Sequence, residues 1–449
     1  MKMIGSFGLI LMLTAVFIGF SPLAEAYVGG TWVTYTTPNS GLGSDDVRAI
    51  CPDGLGNIWF GTANGLSKFD GVSWKTYTTA DKLAHNMVNA IAYENGADGD
   101  QLWVGTDGGV TAVGVKPGEV AFSVPFTTQN TQYPGMISDK ILAAAVDSQH
   151  VRWFGTDKGL MSFNGAVWKV YTTADKLAHN QVNAIAYEET KYGPEIWVAT
   201  AGGISVVNTS IDAVTFAIPY TTTNTKYPGV ISDIIQSATM DSIHNMRWFG
   251  TDKGVIGFDG NVFMSFTMND FLPDNDITSA AVGLNGMVYF GTRHGGVSRF
   301  DGVSGASPLD TMWSGIASNT IRAIAVGKFG ALWFATDQGV TKWIPEGLGV
   351  DGGAEHPVAA AIRSVFPNPF NPSTTIEFSL ARNGRAVLTV YNLSGQKVRE
   401  FLSGAMSAGL HTVKWDGRDR NGAMVSSGAY IIQLRMDNTV VNRKIMLAK

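Results

Sequence analysis

The chain has one cysteine, Cys51, in 449 residues. A lone thiol excludes an intramolecular disulfide, and seven histidines without companion cysteines offer no zinc framework. Cys51 lies in the apolar stretch Val47-Arg48-Ala49-Ile50-Cys51, which predicts a buried structural thiol. Charge is sparse too, at 15 % of residues with a formal net charge of −5. From Ala361 to Lys449, twelve Lys and Arg stand against five Asp and Glu, a balance of +7, so the rest carries −12. Nucleic-acid affinity rests on neutralising phosphates with Lys and Arg, so the acidic part argues against a nucleic-acid partner. The basic end scatters its charges along alternating strands instead of clustering them.

Only one long apolar run occurs. Ile4 to Phe20 follows Lys2 and precedes Ala24-Glu25-Ala26, an A-x-A cleavage site. Residues 1–26 therefore read as a signal peptide, since 17 residues are at the short limit for spanning a bilayer. No later segment could span as a helix, so export without a membrane anchor is expected. Gly-rich phosphate loops, nucleophile elbows and zinc motifs are missing, and no metal or cofactor is expected. The segment Asp416-Gly417-Arg418-Asp419-Arg420-Asn421-Gly422 lacks the calcium-loop spacing and carries two arginines, so it reads as a turn.

Glycine, in contrast, is abundant, with 53 residues, and one phrase recurs seven times. Its first copy is Ile58-Trp59-Phe60-Gly61-Thr62 and its last is Leu332-Trp333-Phe334-Ala335-Thr336. The aromatic positions 59, 103, 153, 197, 248, 289 and 333 are 44, 50, 44, 51, 41 and 44 residues apart. A period in the 40s with strand-like composition predicts a β-propeller with one four-stranded blade per repeat. In the second blade the strands are expected at Val88–Tyr93, Leu102–Thr106, Val110–Val115 and Ala121–Phe126. The seventh repeat lacks an outer strand of the type Ser73-Trp74-Lys75-Thr76-Tyr77. The N-terminal Thr31-Trp32-Val33-Thr34-Tyr35 supplies one, so residues 31–37 are expected to close the ring. The fold class is thus all-β: a seven-bladed β-propeller over 27–345 with N-terminal strand closure, a Gly-rich linker over 346–360, and a small C-terminal immunoglobulin-like β-sandwich over 361–449. Sandwich strands are expected at Thr374–Leu380, Ala386–Leu393, Thr412–Trp415, Tyr430–Met436 and Val440–Leu447.

A second period overlies the first. Tyr77–Glu94 and Tyr171–Glu188 agree at 17 of 18 positions, so two blades were duplicated as a pair. His85 with His179, and His150 with His244, then occupy equivalent positions two blades apart, and His294 is the one unduplicated ring histidine.

Leu83-x-x-Asn86-x-Val88-x-x-Ile91, its copy Leu177-x-x-Asn180-x-Val182-x-x-Ile185, Trp-Phe-Gly-Thr and Phe69-Asp70-Gly71 resemble the two-component-regulator propeller repeats. That resemblance implies extracytoplasmic rings that respond to polysaccharide fragments on membrane kinases. No membrane helix or kinase segment follows, so ligand or partner recognition is the part expected to carry over.

The C-terminal segment resembles the type A sorting domain of the type IX secretion system, related to the Ig-like domain of flagellar hook-capping proteins. The carriers are Phe366-Pro367-Asn368-Pro369-Phe370-Asn371-Pro372, Val390-Tyr391-Asn392-Leu393-Ser394-Gly395, Gly409 to Gly417, Ser427-Gly428-x-Tyr430 and Arg443-Lys444-Ile445-Met446. The resemblance implies the type IX secretion machinery as a partner, and residence outside a Gram-negative cell or on its outer-membrane surface. It singles out Pro367, Asn368, Pro369, Gly428, Tyr430 and Lys444.

Candidate ligand residues sit in the loops from outer to inner strands and in the turns between second and third strands, which a propeller places on one face. These are Asn86, Asn180, Asp107, Asp157, Asp252, Asp337, Arg293 and His294, with Asp139 and Asp233 beside them. Arg293-His294 breaks the Asp pattern. The expected function is non-enzymatic binding of a glycan or protein, the alternatives being a lyase-like propeller enzyme or a structural component of an extracellular assembly.

Overall fold

A computed structural model describes residues 30–345 and 360–447, apart from 97–98, 131, 133, 191–192, 211–212, 225–227, 303, 313, 367–369, 371, 381–382, 393–395, 408 and 437–438. The stretch expected to be a signal peptide and residues 346–359 of the expected linker lie outside the described residues, and Ala360, expected at the linker's end, instead begins a strand. Seven four-stranded antiparallel sheets form the blades. Their inner strands are Val47–Pro52, Val88–Gly96, Ile141–Val146, Val182–Thr190, Ile235–Asp241, Ile277–Val282 and Ile321–Val326, for blades 1 to 7. Each inner strand packs beside those of its two neighbours, and blade 1 meets blade 7.

The recurring Trp-Phe-Gly-Thr phrase is the blade-to-blade contact. Successive strand residues point to opposite faces. In blade 1, Trp59 packs forward with Leu83, Val88 and Leu102 of blade 2, while Phe60 packs backward with Trp333 and Val340 of blade 7. The glycine admits the next inner strand: a Cβ on Gly61, Gly105 or Gly155 would lie 2.7, 2.5 or 2.5 Å from Val88, Ile141 or Val182. The threonine locks the following turn. Thr62 donates to Gly65 O at 2.8 Å, and its counterparts in the other blades, among them Thr106, Thr251 and Thr336, repeat the bond. The strand aromatics are therefore core. Four indoles also anchor to carboxylates at inner-strand ends: Trp59 to Asp53, Trp103 to Glu94, Trp153 to Asp147 and Trp248 to Asp241.

The seventh sheet has the order Gly30–Tyr35, Gly339–Pro345, Leu332–Thr336, Ile321–Val326, so the N-terminal strand does close the ring. Trp32 pairs with Trp343 and stacks on it at 5.2 Å. In blade 2 the outer strand runs Glu119–Phe122, not 121–126. Gly118, at φ 79°, allows a tight turn that starts the strand early. Pro125, with no N–H, interrupts it before Phe126 rejoins at Val110.

The pairwise duplication recurs as two inter-blade clamps. Arg152 donates to Glu94 through Nε at 2.8 Å and Nη2 at 2.6 Å, and Arg247 binds Glu188 in the same bidentate way. His85 and His179 are equivalent, each accepting an amide two residues on. His150 and His244 are not equivalent. The blade 5 turn is one residue longer, so Asn245 takes the left-handed place of His150. His150 reaches Glu94, whereas His244 bonds its own Asp241.

The C-terminal part has a three-stranded and a four-stranded sheet around Phe370, Phe378, Trp415, Tyr430 and Leu434. Five strands fall at or close to the expected runs, and two, Ala360–Phe366 and Lys397–Met406, were not expected. Both are sheet edges. An edge strand tolerates the Lys, Arg and Glu that hide Lys397–Met406 from an apolar-run criterion.

Trp32→Ala is expected to lower propeller stability by about 2–3 kcal/mol, read as a depressed thermal midpoint. An unchanged midpoint, or one unchanged on deleting residues 27–37, overturns the closure role. Burial, and then the Asp53 charge, push the Cys51 thiol up to about 12. It should therefore resist thiol reagents at pH 8 until the protein is unfolded, and rapid native labelling would contradict this.

Candidate ligand-binding site at the channel mouth

The loop face forms because two sets of connections bond to each other. Ala63 N donates to Asp46 O, Asp107 N to Met87 O, Ala201 N to Gln181 O and Arg293 N to Asp276 O. Each bond ties the turn between a blade's second and third strands to the loop that enters its inner strand.

One position of that loop is a staple in every blade. Two residues before each inner strand stand Asp45, Asn86, Asp139, Asn180, Asp233, Asn275 and Asn319. Each side chain accepts the backbone amide of Thr37, Thr79, Thr128, Thr173, Thr222, Met268 or Thr311, at 2.6–2.9 Å. Asn86 and Asn180 thus hold their own loops, as short polar side chains do when they bond locally to backbone. The structure thus gives these two side chains a local role in their own loops.

The inner strands carry a feature that their apolar pattern conceals. Each has a register shift at its second residue, a β-bulge. The bulged residues are Arg48, Asn89, Leu142, Asn183, Gln236, Thr278 and Arg322. A bulge leaves one residue unpaired and re-aims its side chain. Three of them bond a backbone carbonyl across the blade seam: Asn89 to Ile141 O at 3.0 Å, Asn183 to Ile235 O at 2.8 Å, and Thr278 to Ile321 O. Below this polar collar the inner strands present Ile50, Ile91, Ala144, Ile185, Ala238, Ala280 and Ile324, all partly exposed inside the ring. The channel wall is therefore least bulky at blades 3, 5 and 6.

The remaining candidates lie in the second-to-third turns at the rim of the collar. Asp107 accepts from Asn89 at 2.8 Å, Asp157 from Ser138 at 2.6 Å, and Asp252 from Ser232. Asp337 has a buried Oδ1 without a donor. Arg293 takes the equivalent place in blade 6. Its Nε donates to Asp276 at 2.6 Å and its Nη2 to Gln236 of blade 5 at 3.0 Å, while its side chain stays 45 % exposed. His294 is exposed beside it, with its amide on Asp274. Burial pushes the Asp276 carboxyl up, but hydrogen bonds from Arg293 and Gln236 and the Arg293 charge outweigh it and hold it below the ordinary Asp range. Sequence reasoning missed Asp46, Arg48, Gln236, Asp276 and Arg322. The available signal was a polar residue at the second place of an otherwise apolar strand. Among the described residues, no group of three His, Cys, Asp or Glu side chains is placed to hold a metal ion.

In the C-terminal sandwich, Gly428 opens the strand Gly428–Met436 at φ 145°, which suits glycine. Tyr430 is buried, with its hydroxyl on Ser426 O at 2.6 Å and its ring edge-on to Trp415. The backbone of Lys444 pairs with Ile431. Pro367, Asn368 and Pro369 lie outside the described residues. Asp416 pairs with Arg399 at 2.8 Å, and Asp419 accepts the amides of Asn421 and Ala423, the arrangement of a turn.

Residues 41–64 match the two component regulator propeller family, and residues 371–439 match the FlgD Ig-like domain family. No curated protein matches the chain in sequence. Among solved structures, the fold is similar to PorZ of Porphyromonas gingivalis, a surface component of the type-IX secretion system, at 17 % identity and TM-score 0.56. That alignment covers 91 % of this chain and 60 % of PorZ. An extracellular domain assigned to a hybrid two component system of B. thetaiotaomicron aligns at 16 % identity and TM-score 0.57, over 93 % of this chain and 57 % of that one. The chain thus spans about three-fifths of the length of each of these two. A streptogramin B lyase aligns at 13 % identity and TM-score 0.54, over 72 % of this chain and all of the lyase. At these identities the likeness is one of fold.

The Asp276 carboxylate stabilises the fold above its unfolded pKa, and that contribution disappears as pH falls through its lower folded value. Asp276→Asn should therefore cost stability at pH 6–7, and the difference from wild type should begin to shrink only below about pH 4, the ordinary Asp value, and go on shrinking as pH falls through the lower folded value. Denaturation midpoints across pH 2.5–7 check this, and a difference as large at pH 2.5 as at pH 7 contradicts it.

Proposed function

We propose that the chain is an exported, non-enzymatic binding propeller that recognises a glycan or protein at the channel mouth. The C-terminal domain delivers it through the type IX machinery to the outer surface or medium of a Gram-negative cell. The observation that carries the binding reading is Arg293. Its guanidinium is fixed by two adjacent blades and still faces solvent, so its donors are oriented before a ligand arrives and little side-chain entropy is lost on binding. Fold likeness to extracellular and surface propellers supports the location, and the FlgD Ig-like match supports the sorting role.

A lyase-like activity is the second reading, favoured by the alignment over the whole of a streptogramin B lyase and by the exposed, unduplicated His294. The two readings separate on turnover. A glycan array and a pull-down with the wild-type chain should give a ligand that is recovered unchanged. Arg293→Ala with His294→Ala should weaken its binding about tenfold or more. Full retention removes this site, and a cleaved ligand favours the enzyme. Removing residues 361–449 should keep the propeller inside the outer membrane of its native host, and undiminished surface display of the truncated chain would contradict the sorting role.

A further inference from the structure

The two folded parts of the chain carry opposite charge, +7 from Ala361 onward and −12 before it. In the four-stranded sheet of the sandwich, Ala386, Leu388, Val390, Ile432, Leu434 and Met436 are buried in the core. Their alternates on the same two central strands point away from it. Among these are Arg385 and Arg435, both exposed, and the half-buried Val387, Tyr391 and Ile431. Met446 of the edge strand is 40 % exposed beside them. Val387 lies opposite Arg435, and Tyr391 opposite Ile431. Among the described residues, neither guanidinium has a hydrogen bond or an ion pair. The solvent side of an antiparallel sheet is ordinarily polar, so a mixed apolar and basic face fits a surface that another molecule covers.

The loop face of the propeller has the complementary character. Its connections and collar hold fourteen Asp and nine Lys and Arg, a balance of −5. One sector of it is also apolar, with Ile234, Met268 and Met312 exposed by 47 %, 57 % and 76 %. Met268 stands where the other six blades have Thr. Local bonds gather the three around the blade 6 turn. Met268 N donates to Asn275 at 2.8 Å, next to Asp274, which accepts His294 N. Gly296 N donates to Asn319 O, and the Asn319 side chain holds Thr311, the neighbour of Met312. Ile234 stands two residues before Gln236, which accepts from Arg293. The same loops and turns carry Asp252, Asp270 and Asp274.

The path of the chain favours a contact between copies. Gly339 N is tied to Asp45 O at the loop face, while Pro345, at the other end of the same strand, pairs with Gly30. The chain thus leaves for its sandwich from the face opposite the loops. Complementary charge draws surfaces together, and Met and Arg are enriched where proteins meet. We propose that the outer face of the four-stranded sandwich sheet docks on the loop face of a second copy. Arg385 and Arg435 then meet Asp252, Asp270 and Asp274, and Val387, Tyr391, Ile431 and Met446 meet Ile234, Met268 and Met312. The contact is head-to-tail, joining two different surfaces and leaving one of each open for a further copy. It goes beyond the ligand reading and does not depend on it.

Sedimentation velocity on residues 27–449, which omit the apolar run Ile4–Phe20, tests it. Association that grows with protein concentration is expected at about 50 mM NaCl and should be lost at about 500 mM, where the charges are screened. Arg385→Glu with Arg435→Glu should weaken it about tenfold or more, and so should Met268→Glu with Met312→Glu. An equimolar mixture of these two double variants should form a dimer and stop there, because each supplies the surface that the other lacks. Arg385→Gln with Arg435→Gln adds no charge and should weaken association in the same direction, which covers the case that charge reversal disturbs the sandwich. A monomer under all conditions, including one whose sandwich folds back on its own propeller, overturns the proposal and leaves the ligand reading intact. Association unchanged by salt or by either double variant overturns it too, as does a mixture that stays monomeric while both variants keep the wild-type thermal midpoint.

Discussion

A blade cannot bury either of its faces by itself. Each second-strand Trp needs the next blade's inner strand, and each following Phe needs the blade before it, as Trp59 and Phe60 show. Every blade thus depends on both neighbours, and a row of blades would leave two apolar faces bare. Closure by Gly30–Tyr35 removes those faces and the open sheet edge together. The glycine of the repeat follows from the same constraint, since the inner strand of the next blade occupies the space of its absent Cβ.

Closure also fixes where variation is tolerated. The strand positions are held by two neighbours, and the loop staples are held by the backbone amides they accept. Sevenfold regularity therefore extends to Asn86 and Asn180, which are framework. It stops at the bulged collar residues and the turn residues above them, which differ from blade to blade. Arg293 replaces the usual Asp or Ala in blade 6, and arginines replace amides in the collar of blades 7 and 1. Chemistry concentrates there because those side chains are positioned by a rigid frame without being required by it.

Much of the frame was legible in the sequence. The period, the Trp-Phe-Gly-Thr phrase, the missing outer strand of the last repeat and the duplicated pair each correspond to a local packing demand that every copy must meet. The sandwich was legible at its central strands and at two of its four edges, and not at the edge strands Ala360–Phe366 and Lys397–Met406, where an edge position relaxes the demand for an apolar run. The outer strand of blade 2 was placed two residues late because the tight turn at Gly118 and the break at Pro125 act through backbone geometry and leave no trace in hydropathy.

The sequence by itself determined the number of blades, their core and the means of closure, because each rests on contacts between residues at fixed spacing. It also singled out Arg293 and His294 as a break in the pattern. Only the tertiary structure decided what surrounds them. Gln236 and Asp276 reach Arg293 from two blades, and Asp46 pairs with both Arg48 and Arg322 where the first blade joins the last, although Asp46 and Arg322 stand hundreds of residues apart in the chain. Such groupings depend on a bulge that turns one side chain into the channel and on a ring that brings the chain's two distant repeats into contact, and neither is written in the spacing of residues along the chain.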